Sequence, residues 1–312
     1  MARRRIGQER LGFGCERANP ASSLDEMAKL IDWTDVARGL GDIYTAAKGE
    51  PGWPPVALFR ALLLATWYDL SDVKLAEALA DRASFRRFCG FSATEPTPER
   101  TAFVRFRSEL VRRSLDRLLF ETVIRQLKNK GVAVRTGTLV DATLIPSASI
   151  RHDREARWAG HRRRKPVHGY KAHISTDQDA VLIEAVEVTT ANVHDAALLD
   201  AVLPDEPGEV FADSAFASHN AERVIIARGG KPRTVQTAIW GGADALRRLQ
   251  IHNAAIYRVR ARIEKVFGTT KRSYGLRRMR WLGLAKAGLQ VRLAAIAYNL
   301  RRCFGLSFAP AR

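Results

Sequence analysis

At Gly131 the chain changes period. Before it, apolar residues recur at three- and four-residue spacing. After it come β-branched runs broken by turn residues. A chain patterned in this way does not fold as a single helical bundle. It needs a helical part, then a part in which strands and helices share a sheet. No internal repeat or low-complexity segment complicates that division.

Residues 22–130 read as helices, preceded by a flexible basic arm at 1–20. "SSLDEMAKLIDWTDVARGLGDIY" opens on a serine cap. Pro54 and Pro55 begin a strongly apolar helix, and Thr97-Pro98-Glu99 is a start signal for helix running to Gly131. Residues 71–107, short helices followed by an arginine-rich one, resemble a helix-turn-helix, though the same pattern suits an ordinary helical hairpin.

Beyond Gly131, "VRTGTLVDATLIPS" (134–147) reads as a strand ending at Pro146. "HGYKAHISTDQDAVLIEAVEVTTANVHD" (168–195) reads as two strands joined by the turn "TDQDA". A short helix, "AALLDAVL", follows. "GEVFADSAF" (208–216) and "KPRTVQTA" are further strands, with a helix between them closed by Gly229 and Gly230. A long basic helix and a last helix, "AKAGLQVRLAAIAYNLRRC", complete the pattern. The expected architecture is α/β: a mixed sheet of about five strands flanked by helices, preceded by an all-helical domain. The expected domains are an arm at 1–20, a DNA-binding helical domain at 21–130 and a catalytic domain at 131–312.

Charge narrows the partners. Lys and Arg number 51 against 33 Asp and Glu, giving +18, which attracts polyanions and nucleic acid first. From Arg258 to Arg302 there are thirteen Lys/Arg and one acid, and residues 151–171 carry eight Lys/Arg against two acids. A membrane is a poor fit. The most apolar run, "VALFRALLLATW" (56–67), is short and interrupted by Arg60, and no apolar segment follows the basic N-terminus. Cys15, Cys89 and Cys303 form no CxxC pair, as expected of reduced thiols in a cytoplasmic, nucleoid-associated protein, and they argue against a zinc finger.

Against that basic background three acids stand out. Asp141 lies at the heart of "LVDAT" and Asp213 in "VFADSAF", both among apolar or small residues, where an ionised carboxylate is costly unless paired. A buried, hydrogen-bonded structural Asp accounts for either one alone. Glu264 is the sole acid of "YRVRARIEKVFGTTK", set among Arg258, Arg260, Arg262, Lys265 and Lys271. Tyr257, Arg260, Glu264 and Lys271 follow one another at spacings of 3, 4 and 7, which keep one helix face. Three convergent carboxylates suit divalent cations, and Mg²⁺ takes few carboxylates plus phosphate oxygens. The neighbouring Arg, Lys and Tyr suit a nucleic-acid backbone.

Tyr-x₂-Arg-x₃-Glu-x₆-Lys, met at all four positions, resembles the signature of the DDE transposases of the insertion-sequence-four superfamily. "VDAT" and "FADSAF" resemble the first and second Asp motifs, and "HGYKAHISTD" the strand after the first. The short spacer from Asp213 to Glu264 leaves no room for an inserted β-domain, which resembles the insertion-sequence-five family, as does the helical part at 50–115. The resemblance spans roughly 50–304. It implies an RNase H-like domain in which Asp141, Asp213 and Glu264 carry Mg²⁺ or Mn²⁺. It further implies cleavage at terminal inverted repeats by hydrolysis, then joining of the 3′-hydroxyl to target DNA by transesterification. Tyr257, Arg260 and Lys271 would hold the terminal nucleotides, with a homodimer bridging two double-stranded DNA ends.

Other residues are open to two readings. Lys171 contacts phosphate or faces solvent. Asn192, His194 and Asp195 suit a helix cap, with His194 near the site as the alternative. Trp240 and Trp281 anchor loops or stack on DNA. His152, His161 and His168, in a basic loop, lack acids at zinc-ligand spacing. A silent DNA-binding relative of a transposase and an RNase H-fold nuclease that cuts without joining remain as competing functions.

Overall fold

The computed structural model describes residues 22–43, 51–130, 136–161, 164–237 and 242–307, with Arg4, Ile6 and Gly7 before them. Most of the basic arm, and Trp240, lie outside the described residues. The chain divides into two compact units, 1–130 with 292–312, and 131–291.

The first unit is helical: α1 Ser23–Ala28, α2 Trp33–Gly39, α3 Pro55–Trp67, α4 Asp72–Asp81, α5 Ala83–Cys89, α6 Arg100–Arg112 and α7 Leu115–Asn129. Local chemistry sets the ends. Ser22 and Asp25 form a capping box at α1, Ser71 caps α4, and Gly90 closes α5 at φ 88°. Helix α3 is apolar nearly all round and buried. Its single charge, Arg60, stacks 4.1 Å from the Trp33 ring and donates to the Phe88 carbonyl at 3.0 Å. That pairing explains an arginine in so apolar a run. Arg107 of α6 forks onto Asp72 of α4, both bonds 2.6 Å. Cys89 and Cys303 are buried free thiols.

The second unit holds a six-stranded sheet. Its elements run β1 Gly137–Pro146, β2 Arg157–His161, β3 Arg164–Asp177, β4 Ile183–Thr190, α8 Leu199–Val202, β5 Glu209–Ala212, α9 His219–Ala227, β6 Lys231–Thr234 and α10 Ala243–Ser273. The last helix, α11 Leu284–Ser307, has its residues from Arg292 onward in the first unit. Strand β1 pairs antiparallel with β3, and β3 with β4, while β1, β5 and β6 run parallel. Three antiparallel strands continued by two parallel ones give the RNase H-like arrangement. The sixth strand, β2, comes from the basic stretch read above as a loop; it pairs with the start of β3 as a hairpin. Gly169 lets β3 close on β1, since a Cβ there would collide with the Ile145 carbonyl.

One face of the sheet is apolar. Val140, Val210 and Ala212 pack with Val202 of α8 and Ile225 of α9. Side chains alternate along a strand, so Asp141, one residue after Val140, points to the opposite face. Helix α10 covers that face, with Ile263 fully buried. Among the described residues, no helix is long and apolar enough to cross a membrane.

Candidate active site

Asp141 and Asp213 meet across the parallel pair β1–β5. The register sets Thr138 against Val210 and Leu139 against Phe211; continued two residues beyond the pairing it leads from Asp141 towards Asp213, whose charge is felt at Asp141. Asp213 lies just past its strand rather than within it. Its carboxylate caps a 3-10 turn, Ser214–Phe216, by accepting from the Ala215 N–H at 2.9 Å. Ending the strand there frees the side chain from the sheet and leaves it at the rim.

Burial holds the Asp141 carboxyl up to about 6. Arg260 and the Ala142 N–H pull it down, while the negative charges of Asp213 and Asp195 push it up. Arg260 of α10 reaches Asp141 through one nitrogen, 3.1 Å from the carboxylate. The guanidinium is itself buried, and its Nε has no hydrogen-bond partner. A buried, unsatisfied donor beside two acids is expensive, and such groups concentrate where a ligand completes them.

Lys271, eleven residues along α10, donates to the Leu144 carbonyl at 3.0 Å, and burial lowers its pKa. Arg260 and Lys271 thus pin the same helix face to β1. At ~100° per residue, Glu264 stands ~40° round from Arg260 and Lys271 ~20°. Glu264 is exposed, as is Tyr257, while Arg260 is buried and Lys271 half-buried, so the four signature residues alternate between the sheet and solvent. Among the described residues, no three His, Cys, Asp or Glu side chains lie close enough together to hold a metal ion. The pair Asp141 and Asp213 nevertheless fits a hard divalent cation. The charge of Asp213 reaches the desolvated Asp141, where a cation's positive charge would relieve it.

Lys171 is not a free surface lysine. Its ammonium donates to the Val193 carbonyl and to Asp195, each at 2.6 Å. His194 caps the 3-10 turn Asp195–Leu198 by accepting from the Ala196 N–H, as the cap reading expects. Asp195 is the residue that reading undervalued. It ties down Lys171 and adds its charge to the field at Asp141. Next to this pair His173 is buried, bonds Thr189 at 2.9 Å, and is held neutral by desolvation, its pKa down to about 4. Lys171 and His173 share β3, and an acid brought to them from beyond β4 leaves no local signal in the sequence.

An RNase H-like sheet with one acid within β1 and another just past the end of its neighbour β5 defines a class of nucleic-acid enzymes. Residues 132–300 match the family model "Transposase DDE domain", and residues 15–109 match "Transposase domain (DUF772)". The chain belongs to the transposase DDE domain family, whose members are DNA transposases that use divalent metal ions. Among solved structures it is similar to piggyBac transposase, determined by cryo-EM as a synaptic complex with hairpin DNA. The identity is 10% and the TM-score 0.47, over 90% of this chain and 73% of that one.

Proposed function

We propose that the chain is an active transposase of the insertion-sequence-four superfamily, of the insertion-sequence-five type. It binds the terminal inverted repeats of its own element, cuts the DNA ends by hydrolysis and joins the 3′-hydroxyl to target DNA by transesterification. The observation that carries this reading is the unpartnered Nε of Arg260, buried beside Asp141. It is a donor for a phosphate oxygen, placed next to the acids that would hold a cation.

Asp141 and Asp213 hold Mg²⁺ or Mn²⁺, with Glu264 as the third carboxylate from the exposed stripe of α10. When bound, the cation lowers the pKa of water and offsets charge on the attacking and leaving oxygens. Arg260 orients the scissile phosphate by a charge-assisted bond, which a lysine could not fork. Lys271 and Tyr257 hold the terminal nucleotides. Lys171, paired with Asp195, lines the approach to the site as a hydrogen-bond donor. Water first breaks the phosphodiester and leaves a 3′-hydroxyl; that hydroxyl then attacks a target phosphate, so each bond broken is replaced. The helical domain at 21–130 reads the repeats, with Arg100, Arg105 and Arg112 exposed along α6. A homodimer in the cytoplasm holds both ends.

The test is cleavage and strand joining on a duplex carrying the element's inverted repeat and flank, with Mg²⁺ or EDTA, beside Glu264→Gln. Metal-dependent nicking and joining, lost in the variant while binding persists, is the expected result. Nicking without joining identifies a nuclease. Binding alone, in wild type and variant alike, identifies a silent relative.

A further inference from the structure

A cleft of about 760 Å³ begins one residue past Asp141, at Ala142, and extends to Trp158 on β2. Its lining carries Lys165, Lys171, Lys271 and Arg277 against one acid, Asp195. Lys171 and Asp195 neutralise each other, which leaves three cations facing the space. Trp158 is 54% exposed although it sits on a strand, and its ring meets His168 with centroids 5.2 Å apart. A tryptophan left this open forgoes much of its burial energy.

The register gives the scale. Asp141 is level with Ile174 of β3, and Trp158 with His168, six residues along that strand. At 3.3–3.4 Å per residue the separation is about 20 Å. A DNA strand places a phosphate every ~3.4 Å of duplex axis, so the distance is about six stacked nucleotides, fewer if stretched. A cleft of this size suits a nucleotide or two. In a duplex both faces of a base are covered by its neighbours. Within a duplex, away from its ends, a single indole therefore finds a stacking partner only on an unpaired base.

We infer that this cleft is a strand guide. It takes an unpaired DNA strand leading to or from the phosphate at Asp141 and Asp213, stacks one base on Trp158, and steadies its phosphates with Lys165, Lys271 and Arg277. The inference rests on the transposase reading and adds Trp158, Lys165 and Arg277 to its DNA contacts.

The probe is a mixed-sequence oligodeoxynucleotide with a central 2-aminopurine, single-stranded or annealed to its complement, added to the full chain in EDTA. The wild type quenches the single-stranded probe. Trp158→Ala abolishes the quenching and weakens single-strand binding about 5- to 100-fold, while duplex binding is unchanged. Trp158→Phe retains most of both. Lys165→Gln with Arg277→Gln keeps the quenching but flattens the salt dependence of log K by ~0.7 per cation removed. These charge variants and Trp158→Phe carry the test should Trp158→Ala lose its fold by circular dichroism. Unchanged quenching and affinity in a folded Trp158→Ala, or equal loss of single-strand and duplex binding, overturns the guide. Nicking of the element-end duplex by the wild type is scored in parallel. Nicking without strand binding sinks the guide alone, and strand binding without nicking sinks the transposase reading alone.

Discussion

Each unit of the molecule places an arginine on an aspartate, and the two pairs are built differently. In the helical unit Arg107 grips Asp72 through two 2.6 Å bonds. In the sheet unit Arg260 touches Asp141 through one bond of 3.1 Å and leaves its Nε without a partner. Burial does not separate them, since both arginine side chains are 8% exposed. What differs is completeness. The first pair is closed and ties α4 to α6. The second is open and stands where Asp213 and Asp195 crowd more negative charge around Asp141. The Arg107 pair has both carboxylate oxygens engaged; the Arg260 pair keeps one donor nitrogen in reserve.

The contrast can be broken by mutation. The largest effect is expected for Asp72→Ala, which takes both carboxylate bonds from the buried Arg107 charge and costs about 3–5 kcal/mol in urea unfolding. A loss under about 1 kcal/mol would mean that the pair is not closed. Asp141→Asn is expected to lower cleavage on the order of 10³-fold, about 4 kcal/mol, without lowering the thermal midpoint at pH 7. Removing that carboxylate's charge relieves desolvation, so loss of folding together with activity would erase the distinction.

His173 sharpens the comparison through pH. Its pKa is about 4 in the fold, below the ordinary 6.5, so between these values the unfolded chain binds a proton that the folded chain refuses. The stability that His173 contributes is complete above pH 6.5 and is lost as pH falls to 4, in all about 3 kcal/mol. His173→Gln should flatten that slope in unfolding curves taken across the range; an unaltered slope would assign it to other groups. The smallest effect is expected at Arg260→Lys, which gives up a charge-assisted bond to phosphate worth about 1.5–3 kcal/mol. That appears as slower cleavage with folding intact, whereas Arg107→Lys lowers stability and leaves the cleavage rate of folded protein alone.

The candidate residues were legible because their chemistry is unusual where it stands. An acid inside "LVDAT" and a lone glutamate in a basic helix are costly choices, and helical spacing puts Tyr257, Arg260, Glu264 and Lys271 on one stripe. Strand β2 was hidden because its residues are charged and its pairing lies in the hairpin with β3, not in an apolar alternation. Asp213 read as mid-strand because "VFADSAF" is apolar on both sides, yet the strand ends at Ala212 and the aspartate turns to cap. Nothing local marks Asp195, whose importance comes from Lys171, 24 residues away, and from the field at Asp141.

By itself the sequence determined the change from helical to strand period at Gly131, the transposase motifs and their order, and the excess of positive charge. These depend on neighbours a few residues apart, where spacing alone dictates which side chains share a face. Only the tertiary structure decided that β1 and β5 run side by side, that Arg260 is buried with one nitrogen unused, and that a basic cleft runs from Ala142 to Trp158. Strand order, register and burial depend on contacts between residues as far apart as 119 positions, as in Arg260 and Asp141. Long-range packing sets those contacts, and local periodicity does not encode them.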